Sequence, residues 1–136
     1  MSLPNDNMDH YLHCAQSNAV TRHWQSQGAT TFAAKDFILP LFVLNNEFGC
    51  EACPSFPGIN LMGTKTLIDY LRPLVSDFGL SAILLFPSLG SNKKLDDAFN
   101  KEKNPLLRLA PLLREAFPGL CLIADVCLCT FSETGK

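Results

Sequence analysis

Residues 120–129 read LCLIADVCLC, an apolar run that leads into an acid and two cysteines at alternating positions. The run predicts a buried strand from residue 120 to residue 126 or 128. Side chains alternate between the two faces of a strand, so Asp125, Cys127 and Cys129 are expected on one face. Two thiolates in this arrangement can bind one soft metal ion, although a tetrahedral zinc site needs four ligands. The end of this strand is therefore the candidate site of the chain.

Two further apolar runs predict strands earlier in the chain. ILPLFVL at residues 38–44 is nearly continuous, as in a strand covered on both faces. Pro40 within it favours the first strand of a sheet, an edge or a bulge. AILLF at residues 82–86 predicts the second strand, which we expect Pro87 to stop.

The segments between these strands have the periodicity of amphipathic helices. Thr64 can cap one helix, and Gly79 after it is free to adopt the left-handed conformation that ends a helix. Asn104 caps a second helix and Pro105 begins it. Residues 45–63, rich in proline, glycine and asparagine, predict an irregular loop.

The resulting order, β-α-β-α-β, predicts a parallel sheet with right-handed crossovers. Two architectures fit it: half of an open doubly wound sheet, or the first three strands of a barrel. The turn after the first strand, NNEFG at residues 45–49, lacks the glycine pattern of a dinucleotide site. A barrel would place its catalytic groups at the carboxyl ends of the strands, where Asp125, Cys127 and Cys129 stand.

The composition favours one folded domain and gives no sign of a nucleic-acid or membrane partner. The chain has 136 residues, of which 47% are hydrophobic and 18% charged, with a formal net charge of −2. Its longest apolar stretch, residues 37–44, is far below the roughly 20 residues that cross a bilayer. The first seven residues have no signal-peptide pattern, so we expect a cytosolic protein with reduced thiols.

Residues 1–35 are polar and have only a weak helical face. They predict either an arm that packs on a partner subunit or a free tail. Among the other cysteines, Cys121 is expected in the core. Cys50 and Cys53 form a C-x-x-C pattern that is typical of a redox pair or half a zinc knuckle, but two loop thiols without a set role fit better.

Taken in order, the blocks of this chain resemble the N-terminal part of the 5-aminolevulinate dehydratase (porphobilinogen synthase) family in its zinc-type form. The resemblance covers about residues 11–135, and the ADVCLC block is its most specific part. The matching blocks are LH at 12–13, Arg22, Trp24, ILPLFV at 38–43, FPG at 56–58, LRPLV at 71–75, ILLF at 83–86, NP at 104–105, FP at 117–118 and ADVCLC at 124–129.

The resemblance implies a TIM (β/α)8 barrel preceded by an N-terminal arm. Residues 1–35 would be the arm, which embraces a neighbouring subunit in a homo-octamer, and residues 36–136 would be a truncated barrel containing its first three β/α units. The implied activity is that of a lyase of haem biosynthesis, which condenses two 5-aminolevulinate molecules to porphobilinogen with loss of water.

The resemblance also implies a zinc ion held by three cysteines, with Cys127 and Cys129 at the first two positions and Asp125 near the active site. The third cysteine and both Schiff-base lysines of the family would lie beyond residue 136. The chain as given would therefore contain no catalytic residue and be inactive alone.

The chain departs from the family pattern at three places. Pro87-Ser88 replaces the usual glycine after the second strand, and Thr130-Phe131 replaces the usual proline and tyrosine after the cysteines. Pro111 stands where the family tends to have an ordinary helix residue. Two other hypotheses stay open: a non-catalytic form that docks on full-length subunits, and a small independent zinc- or thiol-binding protein.

Overall fold

The computed structural model describes residues 13, 15–26, 31–90 and 93–134. Two compact units divide the chain after Phe32, and each is described by itself. In the first unit, helix α1 runs from Ala19 to Ser26 and buries none of its residues. Asn18 caps it, because its side-chain oxygen accepts a hydrogen bond from the backbone N–H of Val20 at 2.8 Å. The weak helical face predicted for residues 1–35 agrees with that exposure, although residues 1–12, 14 and 27–30 of that range lie outside the described residues.

A mixed five-stranded sheet forms the centre of the second unit. Its strands lie side by side in the order β2-β3-β1-β4-β5. The three predicted strands are neighbours and parallel, as expected, with β4 between β1 and β5. The strands are β1 (Ile38–Leu44), β2 (Cys50–Ala52), β3 (Asn60–Met62), β4 (Ala82–Ser88) and β5 (Cys121–Ala124).

The prediction of an irregular loop over residues 45–63 is wrong, because β2 and β3 lie within it. Strand β3 pairs in parallel with β1, and β2 pairs antiparallel with β3. Each has only three residues, and all three residues of β2 are exposed. These strands form by pairing to the side of β1 rather than by burying an alternating face, so hydrophobic periodicity does not reveal them.

Two helices cover one face of this sheet. Helix α2 (Thr64–Ser76) and helix α3 (Pro105–Ala116) each continue past an internal proline. Alternate residues of β1 and β4 pack with their leucines in one buried cluster. Its members are Leu41, Val43, Met62, Leu67, Leu71, Ile83, Leu85, Leu106, Leu109, Leu113, Phe117 and Leu120.

The other face of the sheet carries aromatic rings. Phe42 on β1 stacks on Phe56 and on Phe86, with ring-centroid distances of 5.8 and 5.3 Å. Such offset ring pairs stabilise by roughly 0.5–1.5 kcal/mol beyond their buried area. This face lies on the side opposite the helices.

The start of α2 is fixed by the backbone of the preceding turn rather than by a side-chain cap. Thr64 was expected to cap the helix, but Gly63 holds the cap position and no side chain bonds there. The carbonyl of Asn46 accepts from Thr64 N at 3.0 Å, and the carbonyl of Glu47 accepts from Lys65 N at 2.9 Å. Two otherwise unpaired helix amides are thereby satisfied.

Two features at the ends of α2 follow from its sequence. Lys65 Nζ lies 2.7 Å from Glu47 Oε2, and this hydrogen bond and charge hold the pKa of Glu47 below its ordinary value. Gly79 has a φ of 72°, which confirms the predicted left-handed residue after the helix. In the part of the chain that the structure describes, no helix is long and apolar enough to cross a bilayer.

Candidate functional site

Strand β5 ends earlier than the sequence predicted. It stops at Ala124, and its last link to β4 is the hydrogen bond from Asp125 N to the carbonyl of Leu85 at 3.0 Å. Val126 is 87% exposed and Leu128 is 46% exposed, so these apolar residues do not extend a buried strand. The prediction of a strand to residue 126 or 128 is therefore wrong.

The two cysteines lie in a turn that follows the strand. Cys127 precedes a 3-10 helix over Leu128–Phe131 and caps it, because its sulfur accepts from Cys129 N at 3.4 Å. The backbone N–H of Cys127 donates to Asp125 Oδ1 at 3.3 Å. The two sulfur atoms lie within disulfide-bonding distance of each other. The structure thus brings the thiol pair together, by a turn rather than by strand alternation.

Asp125 stands between this turn and the aromatic face of the sheet. The register pairs Leu85 with Ala124, so one further step places Asp125 opposite Phe86. Residues opposite each other in a sheet share a face, which puts Asp125 on the same side as the ring stack of Phe42 and Phe86. The carboxylate is half-buried and holds the amide of Cys127.

Two cavities flank the cysteine turn. One, of about 480 Å³, lies between Lys93 and Lys94 on one side and Cys129 and Glu133 on the other. The second, of about 220 Å³, is lined by Asp125, Cys127 and apolar side chains that include Phe99 and Val126. The residue pattern around the two lysines gives no sign of this cavity.

Phe131 anchors the turn between the two cavities. Its side chain is 4% exposed and lines both of them. The 3-10 helix that contains it packs on another 3-10 helix over Leu95–Phe99, which belongs to the segment between β4 and α3. The burial of Phe131 is a tertiary effect that one sequence does not reveal.

The donor atoms at the turn match a soft metal in kind but not in number. Cys127 and Cys129 offer two sulfurs, and thiolate is a preferred ligand of zinc. Within residues 13, 15–26, 31–90 and 93–134, no group of three or more His, Cys, Asp or Glu side chains is placed to hold a metal ion. A disulfide between the two sulfurs also excludes metal binding. The described residues therefore supply half of a tetrahedral site.

The other three cysteines that the structure describes do not join this pair. Cys50 is exposed on β2 and Cys53 is half-buried in the following turn, and both are free thiols. Cys121 is a free, buried thiol on β5, as expected for a core residue. Burial raises the pKa of Cys121, and the nearby charge of Arg114 opposes that effect only in part.

The burial of Cys121 and the exposure of Cys50 predict different rates of alkylation for these two thiols. The thiolate is the reactive form, so the raised pKa and burial of Cys121 both slow its alkylation. At pH 8, iodoacetamide should modify Cys121 at least about 10-fold more slowly than the exposed Cys50, with modification measured by peptide mass spectrometry. In urea the two rates should become similar. Equal rates in the folded chain would contradict the burial of Cys121.

Lys65 and Lys103 are not enclosed as a Schiff-base lysine requires. Lys65 is paired with Glu47, and Lys103 Nζ lies 3.0 Å from Asp97 Oδ1. The side chains of Lys65 and Lys103 are 54% and 53% exposed. A catalytic lysine is activated by desolvation or by nearby cations, whereas each of these two side chains is half exposed and paired with a carboxylate.

Comparison with known proteins decides the family of the chain. The model of the family described as delta-aminolevulinic acid dehydratase matches residues 10–136. The chain belongs to this family. The delta-aminolevulinic acid dehydratase match covers the candidate site and all of the described residues.

Individual delta-aminolevulinic acid dehydratases agree with this assignment. The protein from Dictyostelium discoideum is 31% identical over 138 residues, which is 99% of this chain and 40% of that protein. The protein from Pongo abelii is 34% identical over 126 residues, which is 91% of this chain and 38% of that protein. The chain therefore spans about two fifths of the length of these relatives.

A solved structure of the same family has the same fold. The delta-aminolevulinic acid dehydratase (porphobilinogen synthase) of Toxoplasma gondii ME49, crystallised with its product porphobilinogen, superposes with a TM-score of 0.67 at 27% identity. The superposition covers 97% of this chain and 35% of that one. The mixed sheet and its helices thus match part of a known porphobilinogen synthase.

Proposed function

We propose that this chain is the N-terminal part of a porphobilinogen synthase, a lyase of tetrapyrrole biosynthesis. The whole enzyme would condense two molecules of 5-aminolevulinate to porphobilinogen with loss of water. The observation that carries the proposal is the family match over residues 10–136, with a thiol pair and an acid at the carboxyl edge of the parallel strands. Ligands at that edge are typical of α/β enzymes.

In this proposal, β1, β4 and β5 are the first three strands of a (β/α)8 barrel. Helices α2 and α3 are the crossovers between them, and β2 and β3 form an excursion from the first loop. The aromatic face around Phe42 would line the barrel interior, since the opposite face packs on the helices. Residues 1–35 would be the arm that contacts another subunit of a homo-oligomer.

Cys127 and Cys129 would supply two of three thiolate ligands to a zinc ion. Their support is the chemistry of the donors and their place in one turn, directly after the carboxyl end of a parallel strand. Zinc in such a site would act as a Lewis acid that polarises a substrate carbonyl. Asp125 would orient Cys127, because its carboxylate accepts a hydrogen bond from the backbone N–H of Cys127.

The chain by itself would make no porphobilinogen. The reaction needs an activated amine to attack the ketone of 5-aminolevulinate, and we assign that amine to the part of the enzyme that this chain does not span. Its contribution would be to hold two metal ligands and an acid beside residues that belong to the rest of the enzyme.

A chimaera tests this assignment. Residues 10–136 would replace the matching segment of the Dictyostelium discoideum enzyme, and porphobilinogen formation and zinc per subunit would be measured. We expect an active, zinc-containing chimaera, in which Cys127→Ser lowers activity by at least about 100-fold and removes zinc. Cys50→Ser is the matched control and should change neither quantity.

Two outcomes would contradict the proposal. Porphobilinogen formation by the 136-residue chain alone would show that its catalytic groups lie within it. A folded chimaera that keeps full activity and zinc after Cys127→Ser would show that the thiol pair is not part of the metal site.

Tight zinc binding by the chain alone, lost on Cys127→Ser, would instead favour a small independent zinc protein. Co-purification of an inactive chain with full-length subunits would favour the docking form.

A further inference from the structure

A proline stands at the point where β5 leaves the sheet. Pro87 is the sixth residue of β4, it is buried, and β4 runs through it to Ser88 rather than stopping there as the sequence predicted. On the side facing β5, the carbonyl of Ser81 accepts from Cys121 N at 2.8 Å and that of Leu85 from Asp125 N at 3.0 Å. The backbone groups of odd-numbered residues in β4 therefore point to β5.

The next hydrogen bonds of this ladder would involve residue 87. In a parallel pair continued in register, N–H of residue 87 would donate to the carbonyl of Asp125, and its carbonyl would accept from Cys127 N. Proline has no N–H, so the first of these bonds cannot form. The second is absent from the structure, because Cys127 N donates to Asp125 Oδ1 instead.

The chain that is released at this point turns and brings the two sulfurs together. The Cα atoms of Cys127 and Cys129 are 5.4 Å apart. Two residues of extended strand would separate them by about 6.6 Å, with the side chains standing side by side rather than converging. The convergence thus depends on the end of the β4–β5 ladder at Asp125.

We propose that Pro87 is a positioning residue for the thiol pair. By withholding a hydrogen-bond donor from β5, it frees Cys127 and Cys129 to form the turn in which their sulfur atoms meet. This role goes beyond the proposed function, because it concerns the geometry of the pair whether or not a metal binds there.

A second strand proline provides a matched control. Pro40 on β1 lies opposite Leu84 on β4. Since the backbone N–H and C=O groups of odd-numbered β4 residues point to β5, those of the even-numbered Leu84 point to β1. In a parallel pair they bond to the residues before and after Pro40, so the backbone groups of Pro40 itself point away from β4. On that outer side, β3 pairs only from Phe42 onward. An N–H at residue 40 would therefore leave the β4–β5 ladder unchanged.

The test compares Pro87→Ala, Pro87→Gly and Pro40→Ala with the unmodified chain, all at 136 residues and equilibrated with glutathione. The two thiols form a disulfide by giving two electrons and two protons to oxidised glutathione, which becomes two molecules of reduced glutathione. The equilibrium constant, measured by acid trapping and mass spectrometry, reports how well the sulfurs are placed. Amide hydrogen exchange at Cys127 is measured on the same samples.

Restoring a donor at residue 87 should extend β5 and draw the sulfurs apart. We expect the equilibrium constant to fall about tenfold in both Pro87 variants, as one added ladder hydrogen bond implies. Exchange at Cys127 should slow in both, while Pro40→Ala leaves both quantities unchanged. An unchanged constant in either folded Pro87 variant, or an equal fall in Pro40→Ala, would overturn the inference. Failure of both Pro87 variants to fold would overturn it too, because Pro87 would then be required for packing of the core rather than for placing the thiols.

Discussion

Replacing Leu109 by alanine should lower the free energy of unfolding by about 3–4 kcal/mol. Leu109 is fully buried on α3, in the cluster that joins both helices to the sheet. Its truncation removes apolar contacts and leaves a cavity that neighbouring leucines on two helices and two strands can fill only in part. The loss would be measured by urea unfolding followed by circular dichroism.

Leu112 on the same helix is the matched control. Its side chain is 41% exposed, so Leu112→Ala should cost less than about 1 kcal/mol. The two variants have the same chemistry and almost the same helix position, and only burial separates them. Similar losses in both would mean that α3 does not pack on the sheet by the face that contains Leu109.

Replacing Gly63 by alanine should destabilise the chain by about 3 kcal/mol, although it adds a single methyl group. A Cβ atom at residue 63 would meet the side-chain oxygen of Asn46 and would lie 2.6 Å from the carbonyl carbon of Glu47. These groups cannot retreat freely, because the carbonyls of Asn46 and Glu47 accept the first amides of α2. The clash therefore disturbs the start of the helix as well as the turn.

Gly119→Ala is the comparison that isolates this effect. A Cβ atom at Gly119 would have nothing within 4 Å, and its backbone lies outside the left-handed region. Urea unfolding of this variant should match the unmodified chain within about 0.5 kcal/mol. If Gly63→Ala were equally neutral, the close approach of the turn to the start of α2 would be wrong.

The parallel framework of the fold could be predicted from the sequence because it depends on local hydrophobic patterns. The apolar runs at 38–44 and 82–86 and the helical stripes between the strands each record the face that they bury. Strands β2 and β3 leave no such record, since they are short and held by pairing with neighbours. At residues 126–128 the sequence predicted a strand that does not form, because apolar residues continue after the chain has left the sheet.

The two sulfurs of the candidate site lie together in the structure, but through a different geometry from the one that the sequence predicted. Alternation along a strand placed the two sulfurs of Cys127 and Cys129 on one face, whereas the structure joins them through a turn. The strand ends with its register against β4, in which the last pair is Leu85 with Ala124. Register between distant strands is a tertiary property, which periodicity within one segment cannot supply.

The buried Asn104 has a consequence for the chemical lifetime of the protein. Its side-chain nitrogen donates to the carbonyl of Ala98 at 2.8 Å, and its oxygen accepts from Leu106 N at 2.9 Å, so both ends of the amide are used. Conversion to aspartate would remove the donor and place a charge in the interior. Spontaneous deamidation begins when the next backbone nitrogen attacks the side-chain carbonyl and closes a five-membered imide. Pro105 supplies that nitrogen without a hydrogen. Pro105, which begins α3, therefore also protects the helix cap Asn104 from deamidation.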